Sequence, residues 1–253
     1  MPRRKSLGGI TVAIAGSWAL VVHAVPIVTV AVSGKHAVGL SGNYESIYNL
    51  TLTDTGLAAF KATVRNPEYI GGLWAGSIGN PQLIIRDGGP APGMPDTTVD
   101  DMWMGVAPVI SNNRQLAFSA GLAVTGVPER PNTNTAFWAG PTGSPLLVAK
   151  IGAAAPGIPG AYFADYLMLA FPTIASGRTI FANEVAGPGI DYTNREGLWE
   201  GPFSAPQLLF RSPQHAPGTP DGVNFGDFWG PLDRKSTRLN SSHSVTSRMP
   251  SSA

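Results

Sequence analysis

The chain contains no cysteine in its 253 residues. That excludes a disulfide scaffold, thiol catalysis and a Cys-ligated zinc site. It is also poor in charge: Asp, Glu, Lys and Arg together make 13%, about half the usual share of roughly 25%. No stretch of the body holds a helical stripe for three turns without Gly or Pro, which argues against a coiled coil, a helical bundle or a multi-span membrane protein. Neither a G-x-S-x-G elbow nor a G-x-x-x-x-G-K-[ST] phosphate loop occurs. What the chain does have is 31 Gly, 23 Pro and an ordinary 43% of hydrophobic residues. The Gly and Pro recur with a period, so they read as turns rather than as disorder.

The formal net charge of +1 hides an uneven distribution. Arg3, Arg4 and Lys5 stand at the start, and Arg234, Lys235, Arg238 and Arg248 stand near the end. The body at 25–232 keeps 10 basic and 15 acidic residues. Such a body has no electrostatic footprint for nucleic acid or anionic lipid.

Both ends read as distinct from the body. Residues 1–24 have a basic start, an uncharged run from Leu7 to Val22, and small residues before Val25, the pattern of an export signal. The alternative is an uncleaved membrane anchor, because the uncharged stretch continues to Val32 and is long enough to cross a bilayer. His23 and Pro26 interrupt it, so no membrane insertion beyond this segment is expected. Residues 233–253 are rich in Ser, Thr and Arg and show neither strand alternation nor a helical stripe. They resemble translated sequencing-adapter read-through, or else a disordered polar tail, and are set aside from the fold.

The body is a tandem repeat. Three segments align without gaps. Gly72-Leu73-Trp74-Ala75-Gly76, Pro81 and Ala91-Pro92-Gly93 form the first. Ala136-Phe137-Trp138-Ala139-Gly140, Pro145 and Ala155-Pro156-Gly157 form the second. Gly197-Leu198-Trp199-Glu200-Gly201, Pro206 and Ala216-Pro217-Gly218 form the third. The Trp residues are spaced by 64 and 61 positions. A degenerate copy lies around Ala37-Val38-Gly39, and Phe60, Phe118 and Phe181 recur in the second half of each unit. The unit boundaries fall at about 25–70, 71–134, 135–195 and 196–232.

Each unit reads as four short strands. In the first full copy they are expected at 73–75, 82–86, 102–110 and 115–122, separated by Gly-, Pro- and Asn-rich turns. Four strands repeated every ~60 residues predict an all-β, β-propeller-like fold, since a kelch blade takes ~50 and a sandwich domain nearer ~100. The body holds about 3.3 such units, short of the ~4–8 blades of a propeller, so the chain is expected to be an incomplete fragment. Trp74, Trp138, Trp199, Phe60, Phe118 and Phe181 are expected to form equivalent core sites. The competing reading of the three Trp is a sugar-stacking set.

These motifs resemble a family of bacterial exported tandem-repeat proteins known by the motif NxxGxxAF and by a variable C-terminal anchor. The resemblance covers roughly 25–232. It implies an exported, surface-associated repeat protein and supplies no activity or ligand. The chain departs from the motif: its Asn position is occupied by Thr53, Ser111 and Ala175, and its Gly position by Gly56, Arg114 and Gly177.

Candidate chemistry is sparse. His36 and His215 sit at variable turn positions and are expected to be exposed. Asp101, Asp165 and Asp227 recur at similar distances after Gly93, Gly157 and Gly218. A recurring Asp before a strand suits a turn, where its carboxylate accepts backbone N–H bonds. The alternative is a ring of Ca²⁺ ligands, for which these three are weak candidates. No catalytic residue and no cofactor is assigned. The expected function is a non-catalytic exported repeat protein whose surface serves binding or cell-envelope architecture, with an extracellular or envelope partner of unknown identity. A secreted hydrolase or lyase, its carboxylates gathered on a propeller axis, is the alternative. That reading would require Asp or Glu from several blades to meet His or Arg at one mouth.

Overall fold

The computed structural model describes residues 28–102, 107–123, 134–164, 173–226 and 228. Among them there is no helix. The described residues form fifteen strands in three antiparallel sheets. The first sheet has the order β1 (Asn43–Leu52), β2 (Leu57–Asn66), β3 (Glu68–Ser77), β4 (Asn80–Arg86). The second is built from β5 (Pro90–Ala91), β6 (Met94–Asp101), β7 (Val109–Ile110), β8 (Gln115–Ala123), β9 (Thr135–Pro141) and β10 (Leu146–Lys150). Its order is β10-β9-β8-β6-β5, with β7 also on β8. The third holds β11 (Tyr162–Phe163), β12 (Thr173–Ala175), β13 (Arg178–Ala186), β14 (Glu196–Pro202) and β15 (Gln207–Arg211). It runs β11-β13-β14-β15, with β12 on β13. Among the described residues the sheets do not close into a barrel.

The repeat seen in the sequence is a repeat of structure. Phe60 pairs with Trp74 across β2 and β3, Phe118 with Trp138 across β8 and β9, and Phe181 with Trp199 across β13 and β14. Each pair is stacked, with ring centroids 5.8, 5.4 and 5.7 Å apart. All six rings are fully buried. That burial leaves no stacking face for a sugar and supports the packing role. The partner strands of each Trp also share a bulge. Register slips at the same point of β4, β10 and β15, at Ile84, Val148 and Leu209. A bulge adds one residue to one strand and resets which face the next side chain meets. Hence Leu83 packs beside Trp74 while Ile85, two residues on, packs on the opposite face of the sheet. This explains why these strands read Leu-Ile-Ile, Leu-Val-Ala and Leu-Leu-Phe without alternation.

The sheets are stacked face to face. Leu57, Ala59, Leu73, Ala75 and Ile85 of the first sheet share a buried cluster with Phe118, Trp138 and Ala136 of the second. Ala117, Phe137, Ala139 and Ala149, on the reverse of the second sheet, share the next with Phe181 and Trp199 of the third. The Trp138 and Trp199 faces therefore each meet the back of the preceding sheet, while the Trp74 face is covered by Ala37 and Tyr44. This is why Leu57 to Val64 of β2 are buried on both faces.

Two features differ from the expected layout. The strand expected at 102–110 is instead β6, which ends at Asp101, followed by the two-residue β7; 103–106 lie outside the described residues. The sheets are also out of phase with the sequence units. After β4 the chain leaves the first sheet, and the Ala91-Pro92-Gly93 turn and β6 join the second. Each turn thus acts as a strap carried forward onto the next sheet. The indole N–H of Trp138 donates to Pro92 O at 2.9 Å, and that of Trp199 to Pro156 O at 2.9 Å. Trp74 does the same to Val38 O at 2.8 Å, in the degenerate first copy. A Trp is suited here because its ring fills the core while its N–H needs a buried acceptor.

The Gly two residues after each Trp has a backbone reason. Gly76, Gly140 and Gly201 have φ of 145°, 144° and 156°, a region that side chains rarely adopt. Gly140→Ala is expected to destabilise the chain by about 1–3 kcal/mol. Equilibrium urea denaturation measures this, and a variant as stable as the parent would contradict the strain argument.

Candidate functional site

Among the described residues, ionisable groups gather around one buried lysine between the first and second sheets. Lys61, on β2, has no exposed surface (0%). Its Nζ lies 3.4 Å from Ser119 O on β8 of the second sheet. Tyr48 on β1 stands directly across from it in register. Asp87, just past β4, directs both carboxylate oxygens at backbone: Oδ2 accepts from Gly71 N at 2.7 Å, and Oδ1 from Met102 N at 3.0 Å. Asp101, at the end of β6, is the fourth member and pairs in register with Gly121. Gly71 lacks a Cβ where the Asp87 carboxylate would collide with one.

The electrostatics follow from burial. Desolvation pushes Lys61 down to about 8, opposed by the negative charges of Asp101 and Asp87. Asp87 is pushed up to about 6, mainly by burial. Its two backbone bonds oppose that rise, and Asp101 and Asp100 add to it. Tyr48 is pushed up to about 12 by burial and by the charges of Asp87 and Asp101. The cluster therefore sets one fully buried amine against the charges of two half-buried carboxylates. Asp87 also has a mechanical role. It ties β3 of the first sheet to Met102, the residue following β6 of the second. In the unit at 196–232 a comparable link is made from a different strand: Glu196 accepts from Phe228 N at 2.7 Å.

None of the six rings or the turn residues of the repeat belongs to this cluster. Lys61 occupies the position held by Ser119 and Ala182 in the other units, so a search for recurring residues passes over it. The available sign was a single Lys inside an apolar strand. Of the candidate Ca²⁺ ligands, Asp101 lies in this seam beside Lys61, while Asp165 and Asp227 lie outside the described residues. Among the described residues no group of three or more His, Asp or Glu is placed to hold a metal. His36 and His215 are exposed, each bridged to the far side of its turn, at Asn43 and Asn224. Trp103 and Trp229 lie outside the described residues.

A second feature is a groove of about 580 Å³ at the hairpin end of the same two sheets. Ser77, Asn80, Gln82, Arg114, Thr142 and Ser144 give it a polar lining. The Arg114 guanidinium reaches Ser77 Oγ across it at 3.4 Å.

No curated protein and no solved structure matches this chain. Residues 27–247 match the model of a family of unknown function, DUF7453. The repeat, the stacked sheets and the seam around Lys61 are thus features of a chain that belongs to the DUF7453 family.

Proposed function

We propose that this chain is a non-catalytic exported repeat protein, whose propeller-like stack of sheets presents a surface for binding or for cell-envelope architecture. The observation that carries this reading is the recurrence of one interface. The Trp138 and Trp199 faces each pack on the back of the sheet before them, as blades do around an axis. In such a stack the framework is fixed by the repeat, and the loops are free to differ. The polar groove bounded by Ser77, Arg114 and Thr142 is a surface of that kind. Export rests on the N-terminal pattern and on the resemblance to exported NxxGxxAF repeat proteins.

The alternative of an axial hydrolase or lyase would draw on the Lys61–Asp87–Asp101 cluster, where carboxylates do meet a cation. Two facts weigh against it. Lys61 is fully enclosed, and both oxygens of Asp87 are engaged by backbone N–H groups. A general acid or base must come within hydrogen-bond reach of its substrate.

The test is fractionation of bacteria expressing the chain with its N-terminal segment, followed by sequencing of the recovered N terminus. Export predicts recovery outside the cytoplasm with Val25 as the first residue. Cytoplasmic protein beginning at Met1 or Pro2 would overturn it.

A further inference from the structure

The fourth turn of the repeat is built like the other three, and among the described residues no indole uses its acceptor. Ala216-Pro217-Gly218 closes with Ala216 N donating to Val223 O at 2.9 Å and Thr219 N to Ala216 O at 3.3 Å. The corresponding bonds at Ala155 are 2.9 Å from its N to Ala161 O and 3.3 Å from Ile158 N to its O. The Gly φ values agree as well: 84°, 73° and 83° at Gly39, Gly93 and Gly157, against 80° at Gly218. In the first three turns the carbonyl at Val38, Pro92 or Pro156 accepts an indole N–H. The carbonyl of Pro217 accepts none from the described residues.

Beside each turn stands an apolar side chain that touches the clasping Trp or shares its core. Tyr44 lies edge-on to Trp74 at 5.1 Å, and Phe163 edge-on to Trp199 at 5.0 Å. Val99 holds this place in the second unit and shares the core of Trp138. In the fourth turn the position falls to Phe225, whose N donates to Gln214 O as Phe163 N donates to Ala153 O. Phe225 is only half-buried, against Phe210 and Phe228. The reverse of the third sheet, with Leu198 and Phe210, extends beneath it.

We infer that the 213–226 segment is a receptor for one more Phe-Trp hairpin of this same repeat, which would seat its indole N–H on Pro217 O and its ring edge-on to Phe225. The occupant is specified by the three precedents within the chain. A second, intact copy cannot supply it, because each of its Trp side chains on these hairpins is already committed to a turn. The inference is independent of whether the stack closes into a ring.

The test uses the chain with residues 164–211 copied in after Phe225, which reproduces the spacing that follows Phe163. Hydrogen exchange of the indole protons, followed by NMR, reads each clasp separately. The copied Trp199 is expected to be protected to within about ten-fold of the original Trp199. Phe225→Ala is expected to lower the protection of the copied indole by about ten-fold or more while leaving Trp74 unchanged. Phe225→Tyr, the residue that Tyr44 provides in the first unit, is expected to restore it. An indole that exchanges at the solvent rate, or one indifferent to Phe225→Ala, would overturn the inference. So would a dimer of the unextended chain, seen by sedimentation and abolished by Phe225→Ala, since a second copy would then be the occupant.

Discussion

Trp138→Ala is expected to cost about 3–5 kcal/mol, enough to remove much of the stability of an ordinary domain, which is about 5–15 kcal/mol. The ring is fully buried at the seam of the first and second sheets. It stacks on Phe118 at 5.4 Å. Its N–H is also the bond that fastens the strap at Pro92. Truncation therefore opens a cavity and frees the strap at once. Trp138→Phe separates the two effects. It keeps an aromatic ring but leaves the Pro92 carbonyl without its donor, a loss of about 1–3 kcal/mol. Urea denaturation of both variants gives the comparison. If Trp138→Ala cost no more than Trp138→Phe, the ring would not be the keystone of the seam.

Stability should rise with pH between about 8 and 10, by at most about 3 kcal/mol. The cause is Lys61, held near 8 in the fold against 10.5 when free. In that window the unfolded chain binds the proton and the folded chain has released it, so raising the pH favours folding. Three other groups in the seam set the limits. Asp87, raised to about 6, works in the opposite sense: its folded form holds a proton that the unfolded form has lost, so stability falls as pH rises from about 4 to about 6. Tyr48, raised to about 12, makes stability fall again above pH 10. Asp101 contributes a negative charge that favours the Lys61 cation and opposes part of the effect of burial. Lys61→Met should flatten the profile from pH 8 to 10, and Asp87→Asn should flatten it from 4 to 6. A parent profile already flat between pH 8 and 10 would mean that Lys61 is not buried as a lowered-pKa amine.

The repeat period and the Trp, Phe and turn positions were legible in the sequence because each depends on local chemistry. A ring must fill a core, a Gly must adopt positive φ, and a Pro-containing turn must close. The phase of the sheets was not legible. Periodicity gives the spacing of equivalent residues but not the point at which the chain changes sheet. The strand Met94–Asp101 was hidden for a related reason. Its sequence, Met-Pro-Asp-Thr-Thr-Val-Asp-Asp, carries a Pro and three acids, which are poor strand formers. It is extended because its backbone pairs with β8 at Thr98, Val99 and Asp101, which no local propensity encodes. Lys61 escaped notice because the units differ at its position, where the other copies carry Ser119 and Ala182. A search for what recurs is blind to an ionisable group that occurs once.

The forward-carried straps bear on how such an array grows and shrinks over generations. The turn that supplies a carbonyl and the Trp that consumes it lie 46 residues apart at Pro92 and Trp138, and 43 apart at Pro156 and Trp199. Both distances are shorter than the repeat itself. An unequal crossover that duplicates or deletes one whole period therefore returns every interior clasp intact, wherever in the period the break falls. The boundaries of the sheets need not coincide with the breakpoints of the gene. Lineages can lengthen or shorten the stack one unit at a time, with loops drifting independently and the joints between units preserved by the geometry alone.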